Sequence, residues 1–143
     1  MTALFADSFY WIALADAHDS AHQRALRLTV ERAASAIVTT DEVLVENLNF
    51  FSMAPAGVRQ AVAGSVEDIL ANPVIRVIPQ SRSTFIAGLR LYAARPDKGY
   101  SLTDCISMAA MRQEGLTEVL TNDRHFEQEG FRALLREPEG SRI

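Results

Sequence analysis

Short apolar runs alternate along the chain with longer segments in which apolar residues recur at helical spacing. The runs at residues 3–6, 37–38, 74–78, 117–121 and 131–135 predict five strands. The segments between them predict helices, in the order β-α-α-β-α-α-β-α-α-β-α-β. Strands that are separated by helices predict a three-layer α/β/α sandwich. Its central sheet would be mainly parallel, with about five strands joined by right-handed crossovers.

Capping residues support several of these predicted boundaries. Thr40 stands before a helix predicted from residue 42 to about residue 53, and Ser81 or Ser83 stands before the helix that contains Phe85. Asn72 followed by Pro73 predicts the end of a helix. The pattern therefore predicts where several helices begin and end, as well as their order.

Length and composition favour one ordinary globular domain. The chain has 143 residues, of which 48% are hydrophobic and 22% are charged. We expect a single domain at residues 1–136 and a polar tail at residues 137–143. A lone cysteine, Cys105, leaves no partner for an internal disulfide. We see no secretion signal, and the longest apolar run is too short to cross a bilayer. A cytoplasmic location without membrane contact is the expectation.

The net charge of −4 argues against binding nucleic acid through the whole surface. Thirteen of the fourteen basic residues are arginines, and Lys98 is the single lysine. Arginine suits bidentate phosphate contacts, but the bias also fits a GC-rich genome. The charge pattern leaves both explanations open.

Four separated acids are the candidates for chemistry. Asp7 and Asp123 follow predicted strands, while Glu46 and Asp104 lie near the starts of helices. The carboxyl ends of parallel strands share one edge of a sheet, so these acids can meet there. Four carboxylates in one crevice repel each other and need a cation between them. The pattern predicts a divalent-metal site and metal-assisted chemistry on a phosphate ester.

Each acid also has a purely structural explanation. Asp7 and Asp123 could cap the helices that follow them, and Ser101-x-x-Asp104 resembles a capping box. Glu46 shares a helix face with Glu42, and both could be solvated. Position alone leaves these alternatives open.

Four segments together resemble the PIN-domain family of metal-dependent ribonucleases, and within it the VapC-type toxins of toxin–antitoxin pairs. They are LFADS at 4–8, VTTDEVLVE at 38–46, SLTDCI at 101–106 and LTNDRHF at 120–126. Each segment is loose alone, but the four in order cover almost the whole chain. The one mild departure is Asn122, where the family often has another small or polar residue.

The resemblance implies a metal-dependent endoribonuclease, the toxin of a type II toxin–antitoxin pair. An antitoxin and a second copy of the chain would be its protein partners, and RNA its substrate. Asp7, Glu46, Asp104 and Asp123 would hold one or two Mg²⁺ or Mn²⁺ ions. Glu46 is favoured over Glu42 because it satisfies the family's Thr-x-x-x-Leu-x-Glu pattern. Ser8, Thr121 and Asn122 would support the pocket. Arg112 and Arg124 lie near the motif helices and are candidates for contact with the RNA backbone, with a solvated surface role as the favoured alternative.

Other interpretations of the function and of single residues have less support. The rival function is a catalytically inactive PIN-like module that binds only a partner protein. His18 and His22 have metal-ligand spacing but are expected to form a surface pair, and His125 is expected to be solvated. We expect Cys105 in the core. The RNA target, the oligomeric state and any shared role of Glu42 stay open.

Overall fold

A single parallel sheet forms the centre of the computed structural model, which describes residues 2–136. The polar tail expected at residues 137–143 lies outside the described residues. Within that part of the chain the sheet has five strands, in the spatial order β3-β2-β1-β4-β5, and every neighbouring pair is parallel. The strands are β1 (Ala3–Ala6), β2 (Ala36–Thr40), β3 (Ile75–Ile78), β4 (Glu118–Leu120) and β5 (Arg132–Ala133).

Helices connect the strands, as the sequence pattern predicts. They are α1 (Ser8–Ala15), α2 (His22–Glu31), α3 (Asp41–Phe50), α4 (Ala56–Ala71), α5 (Arg82–Ala94), α6 (Leu102–Glu114) and α7 (Arg124–Gln128). Thr40 caps α3, and Ser81 caps α5 in a capping box. A search of the described helices finds none long and apolar enough to span a bilayer.

The predicted α/β/α class and the order of elements are confirmed, and the differences lie at the ends of elements. The helix expected at residues 22–34 ends at Glu31. The strand expected at residues 131–135 pairs with β4 only at Arg132–Ala133, and residues 134–135 form a turn. Leu135 is nevertheless only 2% exposed. Its apolar character reflects burial in the core rather than a place in the sheet.

The central position of β1 determines where ligands can bind. Leu4, Phe5 and Ala6 are buried, and β1 pairs with β2 on one side and with β4 on the other. The chain builds outward through β2 and β3 on one side, and through β4 and β5 on the other. The strand order therefore reverses between β1 and β4. Open α/β sheets bind ligands beyond the carboxyl ends of the strands at such a reversal.

Close packing of α5 against α6 depends on a glycine. Gly88 lies in the middle of α5, and a Cβ there would overlap the Ile106 side chain and lie 3.1 Å from the Ile106 Cα. The side chain could be displaced, but the backbone of α6 would have to move as well. Only glycine allows this approach without a shift of one helix.

We expect Gly88→Ala to lower the free energy of unfolding by roughly 1–3 kcal/mol through overpacking. Gly64→Ala in α4 is the matched control, because nothing lies within 4 Å of a Cβ built at that position. The control should be neutral or gain up to about 1 kcal/mol from helix propensity. Urea unfolding of both variants measures the difference. Equal stabilisation of the two variants would contradict the close approach of α5 and α6.

Candidate active site

Asp7 lies directly beyond β1 at the carboxyl edge of the sheet. It occupies the N-cap position of α1, but its side chain makes no capping hydrogen bond. Instead its Oδ2 accepts a hydrogen bond of 2.8 Å from the Thr121 hydroxyl, and its Oδ1 is buried without a hydrogen-bond partner. The residue is 4% exposed. Because Asp7 makes no capping hydrogen bond, capping does not explain why an acid lies here. Its buried oxygen without a partner carries an energetic cost.

Thr121 links the ends of the two central strands. Its hydroxyl donates to Asp7 beyond β1 and accepts a hydrogen bond of 3.1 Å from the backbone N–H of Asp123 beyond β4. The threonine side chain is fully buried. One hydroxyl thus fixes the relative position of two acids that are far apart in sequence.

Glu46 enters from α3 and is half-buried. The Ser8 hydroxyl, at the start of α1, donates a hydrogen bond to Glu46 Oε1. Of the two acids that share this helix face, Glu46 is therefore the one that Ser8 orients toward β1. Glu42 is also half-buried, one turn earlier in α3.

Asp104 and Asp123 cap helices, as the structural alternatives predicted. Asp104 Oδ2 accepts from the Ser101 backbone N–H at 3.2 Å, and the Ser101 hydroxyl accepts from the Asp104 N–H at 3.0 Å. Asp123 Oδ1 accepts a hydrogen bond of 2.9 Å from the backbone N–H of His125. Capping uses one oxygen of each carboxylate. Each carboxylate can still bind a second partner, because it has about four acceptor positions.

The four acids, which we call the acidic site, influence each other's charge. Burial raises the pKa of Asp7 to about 7, and the charges of Asp104 and Glu46 add to the rise, which the Thr121 hydrogen bond opposes. Burial also raises the pKa of Asp104, and the charges of Asp123 and Glu46 act in the same direction. The structure therefore brings together all four acids that the sequence singled out.

His125 joins the acidic site, although the sequence pattern suggested a solvated residue. Its Nδ1 lies 3.3 Å from Asp123 Oδ1 and 3.8 Å from Asp104 Oδ2, and its side chain is 26% exposed. The side chain is therefore partly buried rather than fully solvated. The capping role considered for Asp123 could have predicted this position of His125. A capping carboxylate accepts a hydrogen bond from the N–H of the second or third residue after it, and so lies close to that residue.

The remaining predicted residues are more peripheral. Asn122 is half-buried between Thr121 and Asp123, and Arg124 is exposed. Arg112 is engaged elsewhere: its guanidinium donates to Glu129 and lies 5.3 Å from the centre of the Phe131 ring. Contact with Glu129 thus competes with the RNA contact expected for Arg112.

The two other groups singled out in the sequence lie away from the acidic site. His18 is in the turn before α2, so it does not share a helix with His22, whose Nδ1 lies 2.6 Å from the carbonyl oxygen of Ala13. Cys105 is fully buried, as expected for a core residue.

The acidic site fits a divalent cation. Its donors are mainly carboxylate oxygens, the ligands that Mg²⁺ and Mn²⁺ prefer. The buried Asp7 Oδ1 has no hydrogen-bond partner, and the raised pKa of Asp7 shows that its negative charge is poorly compensated. A cation would remove both costs at once.

Sequence comparisons point to one family. The model of the PIN domain matches residues 4–131. The 23S rRNA-specific endonuclease VapC20 of Mycobacterium tuberculosis is 28% identical over 128 residues, which cover 90% of this chain and 95% of the relative.

Solved structures show the same fold. The crystal structure of M. tuberculosis VapC20, described as a sarcin-ricin loop cleaving toxin, matches with a TM-score of 0.77 and 25% identity over 90% of this chain and 95% of that one. FitAcB of Neisseria gonorrhoeae matches with a TM-score of 0.68 and 15% identity over 91% and 95%. VapBC2 of Rickettsia felis, bound to a DNA fragment from its promoter, gives 0.64 and 15% over 92% and 97%.

The raised pKa of Asp7 predicts how stability changes with pH in the metal-free protein. Between its unfolded pKa near 3.8 and its folded pKa of about 7, the folded state binds more protons than the unfolded state, so this acid lowers stability as pH rises. In EDTA, Asp7→Asn should remove that loss. The free energy of unfolding of this variant, relative to wild type, should rise by roughly 2–4 kcal/mol between pH 4 and pH 7.5.

Urea unfolding at the two pH values measures this change, with Asp97→Asn at an exposed acid as the control. The control should follow wild type at both pH values. A difference between Asp7→Asn and wild type that is the same at pH 4 and pH 7.5 would contradict the raised pKa.

Proposed function

Because the chain belongs to the PIN-domain family, we propose that it is a metal-dependent endoribonuclease and the toxin of a type II toxin–antitoxin pair. The observation that supports this most strongly is the convergence of four carboxylates, one of which, Asp7, has a buried oxygen without a hydrogen-bond partner. The family relationship suggests RNA cleavage, and the cluster of acids could bind the cation that such a reaction requires. A module that only binds a partner protein would have no need of this cluster of acids.

Asp7, Glu46, Asp104 and Asp123 would hold the cation, Mg²⁺ or Mn²⁺. When bound, such a cation polarises a phosphoryl oxygen and lowers the pKa of water. Glu46 is half-buried, whereas Asp7 and Asp104 are buried. Ser8 holds one of the Glu46 oxygens. We assign to Glu46 the orientation of the water that attacks the phosphodiester.

The protein holds the acids in place before any ligand arrives. Hydrogen bonds from Thr121, Ser8, the Ser101 backbone and the His125 backbone reach one oxygen of each carboxylate in the acidic site. Fixing one oxygen restricts rotation of the carboxylate and leaves capacity on the other for a ligand. Such preorganisation reduces the cost of rearrangement during the reaction.

RNA is the proposed substrate, and ribosomal RNA is the first RNA to test because VapC20 is a 23S rRNA-specific endonuclease. The net charge of −4 means that binding depends on local contacts rather than on a broadly basic surface. Arg124 is exposed and adjacent to Asp123, which makes it the better of the two predicted RNA-contacting arginines. Arg112 already binds Glu129.

An antitoxin and a second copy of the chain are the proposed protein partners. Structural neighbours include a VapBC complex. The end of α3 and the turn after it expose apolar side chains. Phe50 is 61% exposed and Met53 is 94% exposed. Exposed apolar groups of this size are suited to a protein interface.

Two acids on one face of α3 provide a test of the proposed mechanism. Glu46→Gln should reduce cleavage of ribosomal RNA by roughly 100-fold or more, because it removes a charge beside Asp7 and Asp104. Glu42→Gln, the matched control, should retain activity within about three-fold, because Ser8 holds Glu46 instead. Initial cleavage rates with Mg²⁺ or Mn²⁺, and a reaction in EDTA, measure both effects.

Loss of activity in both variants would indicate that the two acids share the role. Equal activity of wild type and Glu46→Gln would contradict the assigned site, and cleavage in EDTA would contradict metal dependence. Absence of cleavage of any RNA by the wild-type protein, with partner binding intact, would favour the inactive module.

A further inference from the structure

One side of the acidic site carries a nitrogen donor. His125 lies in the first turn of α7, and its backbone N–H binds Asp123 Oδ1 at 2.9 Å. This capping interaction places the imidazole beside the acid that caps the helix. The same imidazole reaches toward Asp104 at the start of α6.

Packing fixes the position of the imidazole ring. Its centre lies 5.3 Å from the centre of the Tyr100 ring at an interplanar angle of 57°. Tyr100 is 4% exposed, and its hydroxyl donates to Glu129 at 3.4 Å. Ser101, the next residue, holds Asp104 in the capping box. A single segment therefore positions both His125 and Asp104.

The Nδ1 atom of His125 is buried and has no hydrogen-bond partner in the described residues. It nevertheless lies 3.3 Å from Asp123 Oδ1 and 3.8 Å from Asp104 Oδ2, without the alignment that a hydrogen bond requires. One donor atom from each of the three residues lies within 4.8 Å of the others. A cation bound among them would give the buried nitrogen a partner and offset the two negative charges.

We infer that Asp104, Asp123 and His125 form a cation position with one nitrogen and two oxygen donors, which binds a transition-metal ion in preference to Mg²⁺. The inference rests on the proposed function, because Asp104 and Asp123 belong to the acidic site. Imidazole suits Zn²⁺ and similar ions, whereas Mg²⁺ prefers carboxylates and water. The side of the site formed by Asp7 and Glu46 offers only oxygen donors.

A different arrangement predicts a different result. Protons on both ring nitrogens would make His125 a cationic partner of the two acids rather than a ligand. Removal of the imidazole would then strengthen or leave unchanged the binding of every divalent cation, because a competing positive charge is lost. Comparing the affinities for Zn²⁺ and for Mg²⁺ therefore distinguishes a metal-binding His125 from a cationic one.

The test is calorimetric titration of the 143-residue protein with Zn²⁺ and with Mg²⁺. His125→Phe retains an aromatic ring against Tyr100 but removes the nitrogen, and His18→Phe removes an exposed imidazole as the matched control. We expect His125→Phe to weaken Zn²⁺ binding by roughly 10-fold to 100-fold and to change Mg²⁺ affinity by less than about three-fold. The control should change neither affinity.

Nitrogen-15 NMR of the histidine side chains gives an independent readout in the wild-type protein. Zn²⁺ should shift the Nδ1 resonance of His125 to the range of a metal-bound nitrogen, and Mg²⁺ should not. Unchanged Zn²⁺ affinity in His125→Phe, or an equal loss for both cations, would overturn the inference while the acidic site still binds metal. A wild-type protein that binds neither cation would overturn the proposed metal-dependent function itself.

Discussion

The burial of carboxylates at one edge of the sheet, where they also repel each other, is the constraint on which this structure depends. Two like charges about 4 Å apart cost roughly 4 kcal/mol at an effective dielectric constant near 20. Burial is the main reason why the pKa of Asp7 is raised to about 7, and repulsion from Asp104 and Glu46 adds to the rise. The fold must supply enough stability elsewhere to hold these groups together until a cation binds.

Hydrogen bonds that also serve the fold hold the acids in place. Ser101 and Asp104 form a capping box that starts α6, and Asp123 caps α7. Structural and chemical roles therefore coincide in these two acids. Asp7 is the exception: it occupies a cap position without capping and instead depends on Thr121. Among the four, it is the acid whose burial is hardest to explain without a ligand.

Much of this arrangement could be predicted from the sequence. The apolar run at residues 3–6 predicted a buried strand, so the edge on which Asp7 lies followed from parallel pairing. The capping box of Asp104 could be predicted because its residues are three apart. The Thr121–Asp7 hydrogen bond could not, since it joins residues separated by 114 positions and depends on the pairing of β1 with β4. The partial burial of His125 could not be predicted either, because it depends on the Tyr100 ring, which belongs to another segment.

The melting temperature as a function of Mg²⁺ or Mn²⁺ concentration at pH 7.5 tests the central claim most directly. A cation that binds only the folded state, at a concentration 100 times its dissociation constant, adds about 2.7 kcal/mol to the free energy of unfolding. The wild-type melting temperature should therefore rise by several degrees, roughly 2–4 °C per kcal/mol for a chain of this size. Asp104→Asn should show a much smaller rise. No rise in wild type, or an equal rise in Asp104→Asn, would contradict a cation-binding acidic site.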